Sequence, residues 1–313
     1  MRRIALIASI LVLTAACDKQ DATPQAARDG QAYTDLSASP TILFQVFGPR
    51  EAPRMAPIAI VRPTGLEAIV LSEDGWRTFD STYFAEGKSY PIYRNGVDAG
   101  TITVTRGMWP ADSAALYSIP GCRVVVPQAI ATLQGAIPLE ETVELIASTM
   151  PIPQKIDTRP FPAGAEAQGR TLASAVAAAS EIGPEDLSSL DFHARWLRTG
   201  VGASGRTLLT SFIDPSAGDL GPGAGNTAML LVLAEDSAGT LNTSYRHAIS
   251  GEARTVEFRR LVNYADFDGD SIAELVLEAW RYAGIANLLV LKHNNGAWEE
   301  SFRIGLDWCV DGR

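Results

Sequence analysis

Between Thr41 and about Pro127 the chain carries short apolar runs broken by turn residues: Thr41 to Phe47, Pro57 to Val61, Ala68 to Leu71, and Thr101 to Thr105. The last of these alternates strictly between polar and apolar side chains, which turns one face of a strand to a core and the other to water. Glu73-Asp74-Gly75 and Asn95-Gly96 supply turn residues that tolerate positive φ. The run Tyr90 to Arg94 ahead of Asn95-Gly96 predicts a hairpin returning through Thr101 to Arg106. A small antiparallel sheet or barrel is expected over residues 41–150.

The period then lengthens. Pro138 precedes Leu139, Val143, Ile146 and Ala147, whose spacing predicts a helix with proline at its start. Met150 to Gly164, with Pro151, Pro153, Pro160 and Pro162, reads as a stiff connector and a domain boundary. A second helix is predicted from about Ala165 to Ser180, with Leu172, Val176 and Ala179 on one side and Gly183-Pro184 ending it. Its many alanines predict close packing against a neighbour, and residues 151–190 form a proline-rich linker with a helix.

Over residues 191–313 one unit occurs twice. Arg195-Trp196-Leu197, a glycine-rich loop, Leu208-Leu209-Thr210 and Met229 to Leu233 correspond to Arg260-Leu261-Val262, an acidic loop, Leu275-Val276-Leu277 and Asn287 to Leu291. Each copy reads as strand, loop, strand, loop, strand, with a fourth strand ending near Tyr245 and Phe302. Two copies are too few to close a propeller, so they must pack on each other or on the first domain. The fold expected is mainly β (α+β): an amino-terminal antiparallel sheet or barrel, a helical connector, and a two-copy, propeller-blade-like antiparallel β module.

The amino terminus changes the setting. Met1-Arg2-Arg3 heads a weakly polar or apolar stretch from Ile4 to Ala16, the pattern of an export signal, and it is shorter than the roughly 20 residues a spanning helix needs. Leu13-Thr14-Ala15-Ala16-Cys17 resembles the lipobox of bacterial lipoproteins, with Thr14 where that family usually has an aliphatic residue. The resemblance implies cleavage after residue 16 and acylation of Cys17, palmitate-type chains then holding the protein to a membrane at about 0.8 kcal/mol per buried methylene. Asp18 resembles the signal that retains lipoproteins at the inner membrane in enteric bacteria; that rule varies among lineages, so the outer membrane stays open. The polar stretch from residue 17 to residue 40 reads as a disordered tether.

Removing Arg2 and Arg3 with the signal takes the formal charge from −10 to −12. So acidic a chain, without a basic stripe, is not built for nucleic acid, and membrane contact is left to the lipid. Cys122 and Cys309 remain after the anchor, and in an oxidising envelope they can form one disulfide or stay as two thiols.

The sharpest chemical signal is Asp266-Phe267-Asp268-Gly269-Asp270-Ser271-Ile272-Ala273-Glu274. Acids at alternate loop positions can turn oxygens toward one centre, which is what a hard cation such as Ca²⁺ needs. Asp266, Asp268, Asp270 and Glu274 would offer side-chain oxygens and Ile272 its carbonyl. An EF-hand requires glycine and glutamate at its sixth and twelfth places, where this loop has Ser271 and Leu277. The loop and its flanks, about Arg260 to Trp298, instead resemble the Asp-x-Asp-Gly-Asp loops of FG-GAP and VCBS-type repeats. That resemblance implies a structural calcium tying a hairpin loop together, in a repeat serving as an adhesion or interaction surface. Ser271 stands where a further glycine is usual, and Thr199, Val201 and Ala203 replace the acids in the first copy.

Gly200-Val201-Gly202-Ala203-Ser204-Gly205 matches Gly-x-Gly-x-x-Gly literally, but the strand-like Thr207 to Thr210 follows where a dinucleotide site needs a helix. His193, His247 and His293 lie in no zinc pattern, and no nucleophile elbow or P-loop occurs. Trp280, Tyr282 and Trp298 could form an aromatic platform, a role that core packing would pre-empt. The expected function is therefore an envelope-anchored, non-catalytic binding or scaffolding module, its partner an unidentified envelope protein or glycan. The alternative is a hydrolase of envelope polymers with a carboxylate pair, such as Asp191 and Glu278, in an interdomain cleft.

Overall fold

Six strands close on themselves in the amino-terminal part of a computed structural model, which describes residues 33–109, 126–135, 142–154, 159–180, 182–214, 225–237, 239–282 and 286–306. Cys17, Cys122 and Cys309 lie outside the described residues, as do Pro138 and Leu139. The strands are β1 (Ile42–Pro49), β2 (Arg54–Arg62), β3 (Gly65–Glu67), β4 (Ser89–Arg94), β5 (Val97–Gly107), β6 (Ala129–Gln134) and β7 (Thr142–Ser148). Their order is β1-β7-β4-β5-β6-β2, with β2 pairing back to β1 and β3 hanging from β2, all antiparallel. Register shifts between β1 and β2, β4 and β5, and β5 and β6 insert single extra residues, which bend the strands enough for so few to close.

The barrel interior is filled by Phe44, Val46, Ile92, Ile102, Val104 and their neighbours. Helix α1 (Glu73–Tyr83) adds Trp76 and Phe79 to this core, and Phe84 follows at its end. Ser72 caps the helix, its hydroxyl accepting from the Gly75 amide at 3.1 Å, and Glu73 and Asp74 sit in the first turn, where the helix dipole favours acids. The segment Glu73-Asp74-Gly75, expected as a turn, is thus a helix start. Ala68 to Leu71, expected as a strand, falls outside β3; the Val70 carbonyl instead accepts from the Thr34 amide at 2.8 Å, and the Val70 amide donates to the Thr34 hydroxyl at 2.9 Å. Thr34 therefore belongs to the folded body, six residues before the expected end of the tether.

The helix expected to follow Pro138 is corrected to strand β7. Val143, Leu145 and Ala147 point into the barrel while Ile146 packs outside it, so apolar side chains on both faces imitate a helical spacing. Helix α2 (Ala165–Ala178) is found as expected, with Ala173 and Ala177 buried and Gly169 pressed against Ala194 and Thr210. Gly183-Pro184 ends nothing further; it opens a short helix, α3 (Pro184–Ser188).

The repeat forms two four-stranded meanders. The first holds β8 (Asp191–Leu197), β9 (Thr207–Ile213), β10 (Asn226–Ser237) and β11 (Thr240–Glu252); the second holds β12 (Phe258–Ala265), β13 (Glu274–Trp280), β14 (Asn287–Asn294) and β15 (Ala297–Gly305). The fourth strands end at Glu252 and Gly305, beyond the expected Tyr245 and Phe302. Alternation explains the layering. On β10, Ala228, Leu230 and Val232 meet the helices, while Met229, Leu231 and Leu233 meet the second sheet. On β14, Leu289 and Leu291 face the first sheet, while Leu288 and Val290 meet the barrel wall. Helices, first sheet, second sheet and barrel therefore stack in that order, so β10 and β14 are apolar on both sides.

Barrel and second sheet are joined by polar groups as well as by packing. Asn263, fully buried in β12 beside a bulge, accepts from the amides of Asn95 and Tyr264 and donates to the Tyr93 carbonyl, each at 2.8 Å. The Gly96 amide donates to the Tyr264 carbonyl at 2.7 Å, and a Cβ on Gly96 would stand 2.9 Å from the Tyr264 ring. Arg260 bridges Glu144 on the barrel and Glu278 on β13, each through a 2.7 Å bond.

A second network joins the outer edges of the two sheets. Buried Glu257 accepts from Arg259 at 2.8 Å and Arg303 at 3.3 Å, and its carbonyl lies 2.7 Å from His247 Nε2. Burial lowers His247 from 6.5 to about 4, with the Arg259 and Arg303 cations adding to the effect and Glu257 opposing it. A depressed pKa means the imidazole's contribution is complete above pH 6.5 and is lost as pH falls toward 4. Urea unfolding at pH 7 and pH 4.5 should show about 2 kcal/mol of this loss, which His247→Gln removes; an equally steep decline in the variant would place the acid sensitivity elsewhere.

Candidate functional site

The acidic loop connects β12 to β13, whose ends pair Ala265 with Glu274. Its carboxylates fold it. Asp266 accepts from the amides of Gly269 and Ser271 at 2.7 and 2.9 Å, Asp268 from Asp270 at 3.2 Å, Asp270 from Ile272 at 2.8 Å, and Glu274 from Phe267 at 2.8 Å. Ser271 sits at φ 77°, a left-handed conformation that glycine adopts more readily than serine.

Asp266, Asp268 and Glu274 bring one oxygen each to within 4.8 Å of the others. Calcium is bound at about 2.3–2.6 Å, so oxygens on opposite sides of one ion stand about 5 Å apart, and this spacing fits. Asp270 is not among the three gathered acids. Burial raises Asp266 above the usual carboxylate range and pushes Glu274 up to about 8, with the Asp268 charge adding to both. Asp266 and Glu274 thus resist ionisation unless a cation joins them.

One cation already stands there. Lys292, reaching across from β14, donates to Asp268 and lies 3.2 Å from Asp270 and 3.8 Å from Glu274. Burial opposes its charge, but the bonds to Asp268 and Asp270 outweigh this and hold the ammonium above its ordinary pKa. Nothing in the linear spacing of Lys292 announces this role. Gln154 in the linker is equally silent in sequence; its side chain clamps the Asp266 backbone through bonds of 3.1 and 3.2 Å.

No family model matches the chain, and neither does any curated protein or solved structure.

The glycine-rich loop of the first sheet lies against this acidic loop. The Ala273 amide donates to the Thr199 carbonyl at 2.8 Å, and a Cβ on Gly200 would stand 2.3 Å from the Ser271 carbonyl oxygen. The Gly-x-Gly-x-x-Gly match is therefore a close approach of two backbones, followed by strand β9. Beside it opens a cleft of about 430 Å³, bordered by Gly96, Gln154, Arg159, Arg198, Thr199 and Asp266 among others.

Neither Asp191 nor Glu278, considered as a hydrolytic pair, is among the described residues bordering this cleft. Asp191 opens β8 in the first sheet, Glu278 lies on β13 in the second and is engaged by Arg260, and Asp266 is the one acid among the described residues bordering the cleft. Trp298 is buried between the sheets, and Trp280 stacks on Phe258 at 5.7 Å, so both serve the core. His193 is exposed on β8, and His293, on β14, lies 2.6 Å from Glu235 of β10 across the sheet interface.

Proposed function

We propose that the chain is an envelope lipoprotein, anchored through an acylated Cys17, whose body is a non-catalytic binding or scaffolding module stiffened by a cation-binding loop. The observation that carries this reading is the convergence of Asp266, Asp268 and Glu274 where second sheet, linker and barrel meet. A divalent ion there would bind carboxylates that already shape the loop's backbone, and so would stiffen the joint rather than activate a substrate. Calcium is the hard, oxygen-seeking ion that suits such a set and is plentiful outside the cytosol.

Lys292 favours a second reading, in which its ammonium is itself the permanent counter-ion and the loop is a metal-free clasp. The two readings separate by experiment. With calcium bound, chelation lowers the melting temperature, Asp268→Ala abolishes that dependence, and Lys292→Met, by removing a competing cation, tightens calcium binding. A melt that ignores chelator, together with a Lys292→Met protein that unfolds several degrees lower with or without calcium, would establish the clasp and remove the metal from the proposal.

A further inference from the structure

Helix α1 sets a carboxylic acid against the barrel without giving it a counter-ion. Asp80 lies one turn after Trp76, whose side chain enters the barrel core, and directly after Phe79, which does the same. Its carboxyl group is pressed on the end of β5, where a Cβ on Gly107 would stand 2.7 and 2.8 Å from the two oxygens. One of them, Oδ1, is buried and meets no hydrogen-bond partner. The Trp76 indole does not serve it, since that N–H is buried and unbonded as well. Among the described residues no cation is paired with Asp80.

A carboxyl oxygen shut away from water without a donor is costly when charged and far less so when the group holds its proton. Burial accordingly pushes Asp80 from 3.8 up to about 6, with the Trp109 amide pulling the other way. Other acids of the barrel are spared this, since Glu67 meets Arg62 at 2.8 Å and Glu144 meets Arg260 at 2.7 Å. Of the remaining charged and titratable groups on the elements packed here, Arg77 is engaged by Glu73 and Asp74 at 3.7 and 3.5 Å, and Asp35, Glu86, Lys88 and Arg106 are exposed. Tyr83 and Tyr90 are pushed by burial above their ordinary range, outside the window in which Asp80 titrates.

We infer that Asp80 is a pH-sensitive latch on helix α1, seating the helix on the barrel when it carries its proton and loosening it when it is ionised. A seated helix holds that proton more tightly than a released one, so seating is strongest below pH 3.8, weakens as pH rises toward 6 and stays weaker above. This runs opposite to the acid sensitivity of His247, which lies between the two sheets. The latch controls access to the aromatic core. Trp76 packs on Phe79, and Phe79 on Phe44 and Phe84, so lifting the helix opens Phe44 and Phe84 to solvent. It lies in the barrel and does not rest on the cation loop.

Hydrogen exchange of the full chain at pH 4 and pH 7, corrected for the intrinsic rate, tests it, with Asp80→Asn as the mimic of the protonated acid. At pH 7 the α1 amides should exchange about tenfold more slowly in the variant than in the wild type, with allowance made for the partly exposed carboxyl. At pH 4 the difference should shrink to about twofold or less, and the amides of β14 should not respond to the substitution. If Asp80→Asn fails to fold, the wild type alone decides, its α1 amides exchanging about tenfold faster at pH 7 than at pH 4 relative to those of β14. Equal α1 exchange in variant and wild type at pH 7, a difference undiminished at pH 4, a β14 response as large as that of α1, or a flat wild-type profile overturns the latch.

Discussion

Asn263→Leu should lower the unfolding free energy by about 3 kcal/mol, because it strands three backbone groups at once, two of them in buried bonds. The Asn95 and Tyr264 amides would lose their acceptor and the Tyr93 carbonyl its donor, the last two in buried bonds and the first in a part-buried one. These groups belong to the barrel hairpin and to β12, so the loss falls on the joint between barrel and second sheet. Denaturant unfolding is expected to show a lower midpoint, and limited proteolysis to cut the linker near Gln154 sooner. Asn263→Asp keeps the acceptor but removes the donor to Tyr93 and buries a charge, so it should be damaging as well. A leucine variant within 0.5 kcal/mol of wild type would mean that packing alone holds the joint, and the polar lock would have to be abandoned.

Gly200→Ala is expected to cost about 2–4 kcal/mol and to disturb the acidic loop at the same time. Two causes act together. The residue sits at φ +80°, where a side chain is strained, and the added methyl would fall 2.3 Å from the Ser271 carbonyl, a backbone atom that cannot swing aside. Relief requires the acidic loop to move, taking with it the Ser271 amide that Asp266 accepts. The variant should melt lower and, if calcium binds, require more of it for half-saturation. Gly239→Ala is the matched control, since it has a similar φ of +87° and nothing within 4 Å of the added methyl. Equal effects of the two substitutions would assign the cost to backbone strain and leave the loop contact without energetic weight.

Much of the architecture was legible along the chain, for a local reason. The Asn95-Gly96 hairpin, helix α2 and the doubled strand pattern after Asp191 all rest on periodicity and turn chemistry, which neighbouring residues determine among themselves. The errors occur where one pattern serves two structures. Val143 to Ala147 reads as a helix face because β7 buries side chains on both the barrel interior and the sheet side. Glu73-Asp74-Gly75 reads as a turn, although acids and a preceding serine are also how a helix begins, and the aromatic core that captures Trp76 and Phe79 is remote in sequence.

The site divides along the same line. Asp266, Asp268 and Glu274 could be named in advance because a short loop brings its own acids together. Lys292 and Gln154 could not: each arrives from a different segment, and only sheet pairing and layer stacking decide that an ammonium enters the acid cluster and that a linker amide clamps the Asp266 backbone. Spacing along one segment determines the elements that segment can form and the ligands it can gather. Charge balance between segments depends on distances that exist only once the layers have packed, so the tertiary structure alone decided which acids a cation from another strand meets.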